Sequence, residues 1–413
     1  MTVLTSQSIR QPEPGLTADD LIARAAALRE RLRDDQEATE ERGAYSPEMH
    51  EEFRKAGFYR TLLPRRFGGY EFDVPTFVRM VIEIARGCPG SGWCLCLAAG
   101  HGLQIGGLFG EEAQIAALAP DGEFAAPMRG LPMGTATRES GDQWRIDGTW
   151  DYCSGSPYST HAIVAVRLME GSKPAGLGLA LVPRSGWTLN DDWRQRSFGM
   201  RGSGSNSITI EGAVVPASFV VTGNLLASDS GLDIPGYRLH GNPMYAGHPI
   251  GYLQLEITSV LVGCAYAALD EYERILRTKK TPGPNGVARV EVPTFQRYWG
   301  LAAGKINAAE DVLLRCSDVF MELCRETVEG EGHQEERLMR INASTHHAVN
   351  LLWEAVELMF RTSGTSEGGT NGSRMQRYYR DFSTARTNIG MQFETYAGIY
   401  GQQHLGVEVD ALA

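Results

Sequence analysis

The segment WRQRSFGMRGSGSNSITIEGAVVP, residues 193–216, separates two fold classes. It contains the pattern G-x-x-G-x-G, which resembles part of a dinucleotide-binding fingerprint. That fingerprint needs a strand before it and a helix after it, because the phosphate binds at the helix N-terminus. Here the glycines are followed by SITIEGAVVP, which has the composition of a strand. We therefore predict a turn between strands of a β domain and set a Rossmann fold aside.

Short β-rich runs surround this segment between residues 123 and 222. Three of them are QWRIDGTWDYCSG, HAIVAVRLM and LGLALVP. They are separated by turn signals such as GD, DG, SG and GS. The pattern predicts a compact antiparallel β domain.

The chain before the β domain is predicted to be helical. Its amphipathic pattern predicts a charged helix over residues 18–33 and another helix over residues 74–85. Between them, Ser46 and Pro47 are suited to the N-cap and first position of a helix that ends near Gly57.

The chain after the β domain is again helical and strongly periodic. Apolar residues recur every three or four positions in four runs, over residues 257–272, 298–323, 338–359 and 375–400. A linker rich in glycine, TSGTSEGGTNGSR, separates the last two runs. Four helices of this kind indicate a bundle.

Together these patterns predict an α+β fold with three domains. An N-terminal α-helical domain covers residues 16–120, and a central antiparallel β domain covers residues 121–225. A C-terminal four-helix bundle covers residues 240–413.

Composition limits the partners of the chain. Its 413 residues carry a formal net charge of −11. Such a surface repels phosphate backbones and anionic lipids, so we expect neither nucleic acid nor a membrane as a partner. Residues 87–110 are apolar and long enough to span a bilayer, but their many glycines indicate a buried, close-packed segment. The N-terminus lacks a secretory signal and the seven cysteines form no C-x-x-C pair, which predicts a cytoplasmic protein.

Several common site motifs are missing from the sequence. His346 and His347 are adjacent in a predicted helix and do not share a face, so we predict no metal site. The sequence contains neither the G-x-S-x-G motif of serine hydrolases nor a Walker A motif.

Two apolar segments remain as candidate sites, each with a purely structural alternative. SGWCLCLAAGHG contains Trp93 and His101, and a buried imidazole is a candidate acid, base or hydrogen-bond donor. The alternative is a core histidine with satisfied hydrogen bonds. WDYCSGSPYS offers the Ser154 hydroxyl at a strand end, and its alternative is an ordinary turn.

A third candidate is the glycine loop over residues 364–372, which includes Gly368, Gly369 and Asn371. Its backbone amides are able to bind a phosphate. The alternative is a flexible connector between two helices.

Five segments, taken in order, resemble the acyl-CoA dehydrogenase superfamily. They are LLPRRFGG, EIARGCPGSGW, WDYCSGS, WRQRSFGMRGSGSNSITIEGAVVP and MQRYYRD. The resemblance extends over residues 18–406. It implies an α-helical domain, a central β domain and a four-helix bundle, assembled as a homotetramer, in agreement with the three regions described above.

Within the superfamily, the residues favour an oxygenase branch over the true dehydrogenases. The dehydrogenase stretch T-E-P-x-A-G-S-D is replaced by FAAPMRGLPMGTATRES, and E-G-T is absent after Arg380 and Asp381. Dehydrogenation of a thioester needs a glutamate base, and Glu394 is the only carboxylate in the stretch that follows. The chain is similar to the oxygenase components of p-hydroxyphenylacetate hydroxylases, secosteroid phenol hydroxylases and dibenzothiophene monooxygenases.

This resemblance implies a reaction and its partners. Reduced FMN or FAD, supplied by a separate NAD(P)H:flavin reductase, reacts with O2 to a flavin C4a-hydroperoxide. That species hydroxylates a small, aromatic or heteroaromatic substrate in a pocket that excludes water. Two alternatives stay open: an FAD-dependent desaturase acting on an acyl thioester, and a non-catalytic flavin-binding relative.

The resemblance also implies residue roles. Trp93 corresponds to a tryptophan beside the flavin ring, and Ser154 to a hydroxyl that reaches flavin N5. His101 corresponds to the active-site histidine, as acid, base or peroxide-positioning group. Asn388 lies where many members have a substrate-facing histidine, and an asparagine forms hydrogen bonds but is not a base near neutral pH. The glycine loop, with Gly368, is expected to contact the cofactor.

Overall fold

The computed structural model describes residues 8–225, 233–330 and 335–407, except for the side chain of Phe393. Within those ranges the element order is helices, then strands, then helices, as the sequence predicts. The predicted fold class is thereby confirmed, whereas the exact domain boundaries stay a prediction.

The N-terminal region contains eight helices in the described chain: α1 (Ala18–Ala27), α2 (Arg29–Asp34), α3 (Gln36–Arg42), α4 (Pro47–Ala56), α5 (Val74–Gly87), α6 (Pro89–Gly100), α7 (Gly102–Leu108) and α8 (Glu111–Leu118). The predicted start of α4 is confirmed, because Ser46 Oγ accepts the Met49 N–H at 3.2 Å. The helix predicted over residues 18–33 is wrong in its extent. It breaks at Leu28, whose ψ of −7° turns the chain into α2.

The central region is one seven-stranded sheet with the order β5-β6-β2-β1-β3-β4-β7. The strands are β1 (Met128–Glu139), β2 (Gln143–Trp150), β3 (His161–Glu170), β4 (Lys173–Pro183), β5 (Thr188–Leu189), β6 (Ile208–Pro216) and β7 (Val220–Thr222). The sheet is mixed rather than antiparallel, because β1 and β3 pair in parallel. The loop over residues 151–160 crosses the end of β1, and this crossover allows the parallel pair.

The C-terminal region comprises, in the described chain, α9 (Gly236–His240), α10 (Pro249–Thr278), α11 (Pro293–Glu329), α12 (Glu335–Ser363), α13 (Thr365–Gly368), α14 (Arg374–Ala385) and α15 (Phe393–His404). The fourth predicted helix, over residues 375–400, is therefore two helices. It breaks where the Asn388 side chain accepts the Gly390 N–H at 2.8 Å, which favours a turn over a continuing helix.

Helix α10 is the central element of the fold. It packs against α5 and α6 on one side and against α11, α12 and α14 on the other. One apolar cluster joins the N-terminal helices to the bundle through α10, and a second lies between the sheet and helices α7 and α8. Among the helices in the described ranges, α10 alone is long and apolar enough to cross a membrane, but 89% of its apolar window is buried inside the fold. It is a core helix.

Candidate functional site

A buried hydrogen bond joins two of the predicted site residues. Trp93 Nε1, on α6, donates to Ser154 Oγ at 3.0 Å. Ser154 lies in the loop that crosses the sheet after β2, and both residues are buried. The structure thus brings the segments SGW and CSGS into direct contact.

The chain of hydroxyls continues beyond Ser154. Ser154 Oγ lies 2.7 Å from Ser205 Oγ, which lies 2.6 Å from Ser203 Oγ. Sequence reasoning missed Ser203 and Ser205, because the segment RGSGS was interpreted only as a turn. The alternation of hydroxyls with glycines was the signal available there.

The glycines around these serines allow close packing of backbones. An added Cβ would lie 2.2 Å from Arg380 O at Gly199, and 2.5 Å from Thr39 Cγ2 at Gly202. At Gly204, φ is +59° and an added Cβ would lie 2.6 Å from Pro157 Cδ. The predicted turn between strands is confirmed. Each glycine serves packing, and β6 follows instead of a helix.

Arg380 and Asp381, at the C-terminal part of α14, fix this turn. Arg380 Nη1 donates to Phe198 O at 2.8 Å, and Asp381 Oδ1 accepts the Met200 N–H at 2.6 Å. Arg380 also forms an ion pair with Glu40 at 3.0 Å. Burial, with the Glu40 carboxylate as a second cause, raises the pKa of Asp381 to about 7.

His101 is buried where α6 meets α7, and both ring nitrogens face protein groups. Nδ1 lies 2.7 Å from Ala126 O, and Nε2 lies 3.5 Å from Glu256 Oε1 on α10. Within the described ranges no hydrogen bond connects His101 to Trp93 or Ser154. His101 follows Trp93 by eight positions, which corresponds to a rise of about 12 Å along a helix. Sequence reasoning missed Glu256.

Asn388 is exposed in the turn between α14 and α15. Its Oδ1 accepts the Gly390 N–H, and an added Cβ at Gly390 would lie 3.3 Å from Gln254 Nε2. In the described part of the chain, no hydrogen bond joins Asn388 to Trp93, Ser154 or His101.

The glycine loop connects the C-terminal end of α12 to the N-terminal end of α14. Gly368 is buried, whereas Gly369 and Asn371 are exposed. Glu367 forms an ion pair with Lys279 at 2.7 Å, so the loop is anchored to the end of α10. The N–H groups of Gly368 and Gly369 already donate within the chain, to Gly364 O at 2.8 Å and to Thr365 O at 2.9 Å.

Two exposed aromatic rings lie close in sequence to the serine chain. Tyr152 is 54% exposed with a φ of +54°, and Phe198 is 58% exposed. The Arg129 guanidinium lies 5.5 Å from the Tyr152 ring centroid and forms an ion pair with Asp151 at 3.0 Å. In the described chain, no group of three or more His, Cys, Asp or Glu side chains is arranged to hold a metal ion.

Comparison with protein families gives two matches in the predicted order. The model described as "Acyl-CoA dehydrogenase, N-terminal domain" matches residues 22–121, and "Acyl-CoA dehydrogenase, C-terminal domain" matches residues 255–393. The chain belongs to the acyl-CoA dehydrogenase family.

Relatives within this family extend over almost the whole chain. The flavin-dependent monooxygenase oxygenase subunit HsaA of Rhodococcus jostii is 25% identical, covering 94% of this chain and 99% of the relative. The oxygenase component of an FADH2-dependent resorcinol hydroxylase of a Rhizobium species is 26% identical, covering 96% and 97%. These relatives confirm the predicted oxygenase branch of the family.

Solved structures of the family confirm the fold. A 3-HSA hydroxylase of Rhodococcus superposes with a TM-score of 0.85 at 24% identity, covering 95% of this chain and 98% of that one. XiaF of Streptomyces in complex with FADH2 and glycerol also gives 0.85, at 21% identity, covering 96% and 97%. TdsC of Paenibacillus with FMN and indole gives 0.77 at 20% identity, covering 95% and 98%.

Proposed function

We propose that this protein is the oxygenase component of a two-component flavin-dependent monooxygenase. It takes reduced FMN or FAD from a separate NAD(P)H:flavin reductase and uses O2 to hydroxylate a small aromatic or heteroaromatic molecule. The observation that carries the proposal is the buried hydrogen-bond chain Trp93–Ser154–Ser205, in a family whose named relatives are oxygenase components.

The Ser154 hydroxyl has the hydrogen-bonding capacity that a reduced flavin needs. A hydroxyl has one O–H donor and two lone pairs. Trp93 Nε1–H occupies one lone pair, and the O–H is able to donate to Ser205 Oγ. The second lone pair is left to accept the N5–H of a reduced flavin. A bound reduced flavin would supply the two electrons that activate O2.

The same hydrogen-bond chain is also compatible with a flavin whose N5 carries no hydrogen. If Ser205 donates to Ser154, both lone pairs of Ser154 are occupied and its O–H is free to donate to N5. A row of hydroxyls can therefore reverse direction as the flavin changes state, without any movement of the backbone. The third member, Ser203, extends the row to a fully buried hydroxyl.

Aromatic side chains close in sequence to the serine chain support a flat, apolar ligand. Tyr152 and Phe198 expose large rings, and Trp93 is buried behind the serine. Exposed apolar patches on a soluble protein often mark ligand or partner sites. A flavin ring and an aromatic substrate would cover such rings and exclude water from the reacting atoms.

Four further roles belong to this proposal. His101 is the acid or base of the site, and Asn388 forms hydrogen bonds on the substrate side. The exposed segment of the glycine loop around Gly369 and Asn371, next to Gly368, contacts the phosphate part of the flavin. His101 is buried, whereas Asn388 and the glycine loop are exposed on other elements of the chain, and assembly into a homotetramer would bring surfaces of several chains together.

The cellular setting is also part of the proposal. All seven cysteines are free, buried thiols. Burial raises the pKa of the Cys88 thiol to about 11, so it stays neutral and unreactive at physiological pH. Buried, reduced cysteines support a cytoplasmic location.

Rapid mixing of the protein and anaerobically reduced FMN or FAD with oxygenated buffer tests the proposal. We expect oxidised flavin to form much more slowly with the protein than with free flavin. Ser154→Ala should speed this oxidation and raise the yield of hydrogen peroxide. Ser159→Ala is the matched control, because it removes another buried hydroxyl of the same loop, one bonded to Gly155 O. Oxidation as fast as that of free flavin would refute the proposal.

A further inference from the structure

A buried carboxyl group faces His101 from the central helix. Glu256 on α10 and His101 each expose only 1% of the side chain, and Oε1 lies 3.5 Å from Nε2. Glu256 Oε2 has no hydrogen-bond partner among the described residues. An isolated buried carboxylate is costly, so the charge on this group needs a compensating proton nearby.

Hydrogen-bonding capacity shows where that proton lies. Ala126 O is an acceptor only, so the His101 Nδ1, at 2.7 Å, carries its hydrogen. In a neutral ring Nε2 is then a bare lone pair, and it would face an ionised carboxylate as a second acceptor. This repulsive arrangement is avoided when one proton lies between Nε2 and Oε1.

The groups around the pair do not supply the proton themselves. Tyr252 on α10 and Cys96 on α6 are two further titratable groups that face Glu256. Burial, and then the Glu256 carboxylate, raise the pKa of both well above the ordinary values, so both stay neutral. Cys96 Sγ donates to the backbone oxygen of Glu256 at 3.3 Å.

Gly100 makes room for the carboxyl group beside the histidine. An added Cβ at Gly100 would lie 2.5 Å from Tyr252 Oη and 2.6 Å from Glu256 Oε2. The glycine that precedes His101 therefore allows α10 to bring Tyr252 and Glu256 against α6.

We propose that Glu256 is the positioning residue of His101 and shares one proton with its Nε2. The inference deepens the proposed function, on which its catalytic meaning rests. Glu256 fixes the ring with Nδ1 toward Ala126 O and Nε2 toward its own carboxyl group.

Nitrogen NMR of the full chain, without flavin, tests the sharing directly. With ¹⁵N-labelled histidine at neutral pH, we expect the His101 Nε2 resonance of the wild type to be that of a protonated or hydrogen-bonded nitrogen. In Glu256→Gln it should move toward a bare ring nitrogen. His101→Gln identifies the signal. Glu271→Gln, which removes another buried carboxyl of α10 that is paired with Arg274, should leave it unchanged. A bare Nε2 in the wild type overturns the inference even if the variant fails to fold.

A double-mutant cycle on the coupling of flavin oxidation to product tests the positioning role. Glu256→Gln should increase peroxide release and change its pH profile in the wild-type background, but have no further effect in His101→Gln. An undiminished effect in His101→Gln would show that Glu256 acts independently and would overturn the inference. Failure of the oxygenase reaction itself would instead refute the proposed function and leave the NMR result standing.

Discussion

The orientation of the Ser154 hydroxyl depends on the Ser205 hydroxyl. In Ser205→Ala, the Ser154 hydroxyl keeps only the hydrogen bond that Trp93 Nε1–H donates to it. One hydrogen bond contributes about 1 kcal/mol, so we expect reduced flavin to be oxidised about fivefold faster than in the wild type. Stopped-flow absorbance measures this rate. Ser207→Ala, whose hydroxyl bonds to Asp192 on the same loop, is the control. Equal rates for Ser205→Ala and the wild type would contradict the role.

His101 is expected to control product formation rather than cofactor binding. His101→Ala removes the proposed acid or base of the site, so hydrogen peroxide should form at the expense of hydroxylated product. Flavin affinity should change little, because His101 has no hydrogen bond to Trp93 or Ser154 in the described chain. Product and peroxide per flavin oxidised are the quantities to measure. Normal coupling in this variant would remove the assignment.

Where a short segment carried its own signal, sequence reasoning could single out candidate residues, whose roles stay predictions. Trp93 and Ser154 each lie in such a segment, and the structure joins them by a hydrogen bond. No sequence pattern marked Glu256 as a site residue, because it lies just before the predicted apolar run over residues 257–272. Helix α10 begins at Pro249, so Glu256 lies inside a buried helix, and only its tertiary contact with α6 shows this.

At the scale of elements, α14 and the turn before β6 form one unit. Gly199→Ala would place a Cβ 2.2 Å from Arg380 O, on the backbone of α14. We expect a loss of about 1–3 kcal/mol in the free energy of unfolding. Because the turn carries Ser203 and Ser205, flavin affinity should fall as well. Urea unfolding and flavin titration measure the two effects.

The control for this change is Gly300→Ala on α11. No atom lies within 4 Å of an added Cβ there. Alanine is favoured over glycine by about 1 kcal/mol inside a helix, so Gly300→Ala should be neutral or stabilising. A Gly199→Ala variant as stable as Gly300→Ala would show that the turn can move away from α14.

Element order was predictable from the sequence because apolar periods differ between helices and strands. Two details were not predictable. The split between α14 and α15 follows from one side chain, Asn388, that bonds Gly390 N–H within an otherwise continuous apolar stripe. The parallel pair of β1 and β3 depends on where the loop over residues 151–160 crosses, which no local pattern encodes.

At the scale of the whole molecule, one buried and two half-buried histidines predict sensitivity to acid. Burial lowers the pKa of His161, His240 and His346 to about 4. Between pH 6.5 and 4 the unfolded chain binds protons that these rings do not, so the free energy of unfolding falls as the pH falls. Thermal unfolding from pH 7 to 4.5 measures this. A His161→Phe variant should lose less stability in acid than the wild type, and an equal loss would contradict the role of burial.

The titration of Asp381 has the opposite effect on the free energy of unfolding in acid. The direction of this effect can be tested separately. Its pKa, raised to about 7 by burial and by Glu40, means that the folded protein binds a proton between pH 4 and 7 that the unfolded chain lacks. This contribution to stability is full below about pH 4 and is lost as the pH rises through 7. Asp381→Asn keeps an oxygen for the Met200 N–H but cannot titrate. Its free energy of unfolding should therefore rise more steeply with pH between 4 and 7 than that of the wild type. If the two proteins gave parallel curves of the free energy of unfolding against pH, the Asp381 carboxylate would be ionised in the fold. Its charge would then be balanced by the arginines of α14.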